Sequence, residues 1–154
     1  MQEQIKRIET TKLEYLLDEA GYTWSCVDQN RRLVGVPGKG RDWDIIVEMG
    51  REWLQISSNC CELPTDPHDR LTVLEAALDM NRAMTLTRFT NAETLTLELN
   101  YRREHIDATA LAACIDFVHE NAEEFFATLF RLANSCVCLE EKFDRGVDDE
   151  CLFK

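Results

Sequence analysis

The chain has 154 residues, 45% hydrophobic and 30% charged, and its 17 basic and 29 acidic side chains leave a net charge of −12. One domain of this length buries about 68–70% of its unfolded surface, and the composition is that of an ordinary globular protein. Such a negative balance repels phosphate backbones and anionic lipid, which excludes nucleic acid and membrane surfaces as expected partners.

No apolar run reaches the ~20 residues of a membrane helix. The start "MQEQIKRIETTKLEYLL" lacks the basic, apolar and small-residue regions of a signal peptide, so a cytoplasmic location is expected. Cys26, Cys60, Cys61, Cys114, Cys136, Cys138 and Cys151 are an odd set with no paired C-x₂-C spacing. They read as free thiols, several of them buried, and neither a metal nor a cofactor is expected.

From Glu3 to Ala20, the apolar residues Ile5, Ile8, Leu13, Leu16, Leu17 and Ala20 share one helical face, and Gly21 is a natural stop. "YTWSCV" alternates as a strand, "DQNR" is a turn, and "RLVGV" is a second strand ending at "PGKGRD". That glycine cluster leads into a strand rather than a helix N-terminus, so it is a turn and not a phosphate loop.

"WDIIVEMG" and "EWLQISS" follow as strands joined by "MGRE". Trp43, Ile45, Val47 and Met49 point one way, and Asp44, Ile46 and Glu48 the other. An antiparallel sheet with one buried and one partly wet face fits that alternation. "CCELPTDP" then closes the sheet section.

Asp66 is a good N-cap with Pro67 at the first helical position, and the helix continues to about Arg82. Leu71, Leu74 and Leu78 line one of its faces, while Val73, Ala77, Met80 and Met84 form a second. "MTLTRF" and "TLTLELNY" make a hairpin. Asp107 caps a long helix with Leu111, Ile115, Val118, Ala122, Phe125, Leu129 and Leu132 on one stripe. Beyond Ala133 the periodicity fades. The expected organisation is a single domain over 1–133 and an acidic, cysteine-containing tail over 134–154.

The stretch "LEAALDMNRAMTLTRFTNAETLTLELNYRREHIDATALAACIDFVHENAEEFFATL" resembles the second half of the YbjN family and of the class I type III secretion chaperones, the CesT-like group. It shares with them a helix ending in the step from Leu78 to Asn81, then a strand pair, an acidic helix start and a long amphipathic helix. In element order the resemblance covers residues 3 to about 133. The element order read along this chain is α-β-β-β-α-β-β-α, or with a fourth strand counted before the second helix, and the resemblance implies an α+β, type III secretion chaperone-like fold. A twisted antiparallel sheet of about five strands would be flanked by helices. It also implies a protein partner, and a homodimer formed through the second helix and adjacent strands.

Catalysis needs a convergent nucleophile, base or metal, and none of His68, His105 and His119 has a partner at such a spacing. The chain therefore reads as a non-enzymatic, chaperone-like or regulatory protein-binding module. The alternative is a cysteine-based redox or small-molecule sensor, which a thiol well below the ordinary pKa would favour. The second helix carries apolar residues on two faces, more than one contact hides. Val73, Ala77, Met80 and Met84 are thus the expected dimer or partner interface, and the exposed sheet face is open to an extended segment.

Overall fold

A computed structural model describes residues 12–91 and 94–144, with side chains for all of these except 91 and 133–144. The expected helix over 3–11 and the tail from residue 145 lie outside the described residues.

Six strands form one antiparallel sheet: β1 (Trp24–Cys26), β2 (Arg31–Val36), β3 (Trp43–Met49), β4 (Trp53–Glu62), β5 (Thr87–Asn91) and β6 (Thr94–Arg102). Their spatial order is β1-β2-β3-β4-β6-β5. Helix α1, described over 12–19, precedes the sheet. Helix α2 (Pro67–Ala83) separates β4 from β5, and α3 (Ala108–Asp144) follows β6. The class is α+β. The fourth strand before α2 is present, so the sheet has one strand more than the five expected.

All three helices serve one face. Trp43, Ile45, Val47, Leu54, Ile56, Leu97 and Leu99 turn towards them and join one core with Leu13, Leu17, Val73, Leu111, Ile115, Val118 and Leu129. Each such side chain contributes roughly 1.5–3 kcal/mol by leaving water. The intervening residues Asp44, Gln55, Asn100 and Arg102 face outwards, as a period of two dictates.

Local signals set the ends of the elements. Gly21, at φ 85°, closes α1, with its N–H on the Asp18 carbonyl at 3.1 Å. The Asp66 carboxylate accepts from the N–H groups of His68 and Asp69 at 3.1 Å each, which starts α2 and contributes about 0.5–2 kcal/mol. Strand β4 runs on through Cys60 and Cys61, past the expected end at Ser58, with a register shift between Asn59 and Cys61. Helix α3 continues through the expected domain boundary at Ala133 to Asp144.

Arg32 is the one buried arginine among the described residues, with 2% of its surface exposed. Its guanidinium pairs with Glu14 of α1 at 2.7 Å and donates to the carbonyls of Asp28 and Arg31. Trp24 lies 5.6 Å from it and donates its own indole N–H to Asp18 at 2.8 Å. Helix α1 is thereby fastened to β1 and β2.

Candidate protein-binding site

The second helix turns its smaller apolar residues inward. Val73 and Ala77 are buried within the chain's own core, and Met80 and Met84 are half-buried against it. Leu71 and Leu78 are 53% and 63% exposed, with Leu86 beyond the helix at 59%. The surplus apolar surface expected at Val73, Ala77, Met80 and Met84 therefore sits at Leu71, Leu78 and Leu86 in the single chain. The physical reason is close packing: α2 lies against α3 and β5, and a short side chain such as Ala77 allows that approach.

Beside this surface is the β5 edge, which has a side-chain seal. Asn81 accepts the Phe89 N–H at 2.6 Å and donates to the Phe89 carbonyl at 3.1 Å. One amide thus does for Phe89 what a neighbouring strand would do, and such cover blunts an edge against further pairing. At the start of the strand, buried Thr87 accepts from the Asn121 side chain at 2.8 Å.

The outward sheet face is open among the described residues. Its strands place side chains in transverse rows. Leu33, Ile46 and Ser57 stand side by side on β2, β3 and β4, all half-buried. Next come Glu48, Gln55 and Asn100, and then Trp53 beside Arg102. Trp53 is 45% exposed, with the Arg102 guanidinium 5.1 Å from its ring centre, whereas Trp43 is wholly buried. Glu98 accepts from Gln55 at 2.8 Å and pairs with Arg88 at 2.9 Å, which uses its charge internally.

The "PGKGRD" turn is latched to α3. One oxygen of Glu123 accepts from the Trp43 indole at 2.8 Å and the Lys39 N–H at 3.0 Å, and His119 stands 3.4 Å away. Burial pushes this carboxyl up, but the Trp43 and Lys39 hydrogen bonds and nearby His119 outweigh it and hold the pKa below the usual value. Gly38 is required here because a Cβ would meet Glu123, the Arg41 carbonyl and, at 2.8 Å, the Trp43 ring. Arg41 covers Trp43 at 4.2 Å and Phe126 at 5.0 Å.

His68 lies at the start of α2, His105 beside Glu104 at 3.3 Å and His119 on α3, so the three do not converge. Among the described residues no three His, Cys, Asp or Glu side chains gather as a metal-holding group, and no helix is long and apolar enough to cross a membrane. Burial pushes the Cys60 thiol up to about 12, with Cys61 adding to it, and burial also raises Cys61 and Cys114. Cys26 is exposed, while Cys136, Cys138 and Cys151 lie outside the described side chains.

No family model and no curated protein matches the sequence. Solved structures do match. YbjN from E. coli superposes with a TM-score of 0.60 at 13% identity, over 81% of this chain and 92% of that one. The chain has the type III secretion chaperone-like fold. A chain of the heterodimeric ExoU–SpcU complex from the type III secretion system of Pseudomonas aeruginosa gives 0.54 at 14% identity, covering 79% and 97%. The HopA1–SchA chaperone–effector complex gives 0.50 at 11%, covering 82% and 95%.

Sequence reasoning missed Asn81 as an edge seal and Glu123 as a latch. An asparagine in the last turn of a helix just before an edge strand is the signal for the first. Glu123 reaches Trp43 across 80 positions, and no local pattern carries that.

Proposed function

We propose that the chain is a non-catalytic, chaperone-like or regulatory module that holds a segment of a partner protein in the cytoplasm. The observation that carries this reading is the open sheet face, where half-buried Leu33 and Ile46 and exposed Trp53 stand opposite the helix-covered face. The fold neighbours support it, since two of them are complexes and one is described as chaperone with effector. The raised thiols of Cys60, Cys61 and Cys114 weigh against the redox-sensor alternative, because the thiolate is the reactive form.

A homodimer belongs to the same proposal. Its contact centres on the outward side of α2, with Leu71, Leu78 and Leu86 joined by the half-buried edges of Met80 and Met84, while Val73 and Ala77 support it from within. Leaving such leucines in water forfeits roughly 1.5–3 kcal/mol each. Light scattering should give twice 17.8 kDa, and Leu78→Asp should halve it. Affinity capture with Ile46→Asp and Leu78→Asp as parallel baits tests the binding role. A partner kept by the wild type and by Leu78→Asp, but lost by Ile46→Asp, supports the sheet face. Partners that ignore both substitutions reject it.

A further inference from the structure

Resting on that reading of the outward sheet face, we infer that the segment it holds is extended and basic, with an apolar residue followed two positions later by an arginine or lysine. The rows supply the spacing. Ile46 and Glu48 are two residues apart on β3, and Ser57, Gln55 and Trp53 succeed one another at the same interval on β4. Residues two apart on a strand are separated by about 7 Å, and an extended peptide repeats its side chains at the same distance. A segment lying along β3 and β4 thus sets one residue over the Leu33–Ile46 pair. The next residue on that side lies over Glu48 and Gln55, and the third over Trp53.

Charge fixes the middle residue. Arg31, which stands opposite Glu48 on β2, gives its guanidinium to Asp28 at 2.6 Å. Glu98 is satisfied by Arg88, and the turn adds one charge of each sign to the groove, Arg51 and Glu52. Half-buried Glu48 acts on the charge of Arg31 across the ladder but makes no ion pair of its own among the described residues, so its carboxylate oxygens stay open to a ligand's cation. It lines a groove of 360 Å³ with Gln55, Asn100, Trp53, Arg51 and Glu52. The oxygens of Gln55 and Asn100 add acceptors beside it. The Trp53 ring, which already stacks with the Arg102 guanidinium, offers its remaining exposed surface to the third, apolar residue. The chain's net charge of −12 draws a basic segment in and turns an acidic one away.

The probe is a fluorescein-labelled, end-capped nonapeptide of serine and threonine carrying leucine, arginine and leucine at its third, fifth and seventh positions, titrated with the full chain by fluorescence anisotropy. Saturable binding is expected. It should weaken about tenfold when the arginine becomes glutamate, and by a similar factor in Glu48→Gln protein. Moving the arginine next to the first leucine should weaken it as well. Equal binding of the arginine and glutamate peptides, an unaffected Glu48→Gln, or binding of the arginine peptide weaker than about 1 mM would overturn the inference. If Ile46→Asp removes a captured natural partner while Glu48→Gln does not, the protein-binding reading stands and the basic preference falls. If neither removes it, both fall.

Discussion

On β3 and β4, Trp43, Ile45, Val47, Leu54 and Ile56 are wholly buried beneath the helices, while Asp44, Glu48, Gln55 and Trp53 on the same strands look outwards. The two sets share backbone, register and hydrogen bonds, so only their surroundings differ. The covered set gains from desolvation and close packing and therefore governs stability. The open set has given up little water and has correspondingly little to lose on substitution. Stability and partner recognition should thus separate by residue parity along a single strand.

The sharpest way to break this separation is at the two tryptophans of neighbouring strands. Trp43→Ala removes a fully buried ring and its indole bond to Glu123, and urea unfolding should show a loss of about 3–5 kcal/mol. An intermediate effect is expected at the β5 edge. Asn81→Ala strips the Phe89 N–H and carbonyl of their partner, at a cost of about 1–3 kcal/mol. The bared edge should also show as concentration-dependent association in light scattering.

The Glu123 latch responds to acid. Its folded pKa lies below the unfolded value of about 4.3, so the folded state binds the proton less readily than the unfolded chain. The stabilisation is present above about pH 4.3 and is lost as pH falls through the lower, folded value. Glu123→Gln should therefore flatten the acid side of the stability–pH curve measured by urea midpoints, with the wild type falling more steeply below about pH 4.3. The smallest stability effect belongs to Trp53→Ala, expected within about 0.5 kcal/mol of wild type, although it should weaken the arginine peptide. A large loss of stability there would remove the contrast between the two faces.

The strands and helix starts were legible because each rests on a local rule. The alternation from Trp43 to Met49 placed four side chains inside as read, and Asp66 with Pro67 marked the start of α2. The inward face of α2 was not legible. Leucine dominates one side by hydropathy, yet fit against α3 and β5 selected Val73 and Ala77 instead, because the distance between packed elements is a tertiary property. The extension of β4 through Cys60 and Cys61 was hidden by residues that declare neither strand nor turn. The open sheet face was anticipated from alternation. Its row of Glu48, Gln55 and Asn100 depends on inter-strand register, which a single strand's pattern does not encode.

Buried Arg32 gives α1 a mode of opening. If the helix peeled away and carried Glu14 with it, the guanidinium would remain against Trp24 without its carboxylate, and breaking such a buried pair is far costlier than losing a surface one. The β1–β2 hairpin, whose turn carbonyl at Asp28 holds the same guanidinium, must rearrange with the helix to relieve it. Amide exchange should therefore show α1 and that hairpin as one cooperative unit, with the two segments exchanging at a common rate despite their separate positions in the chain.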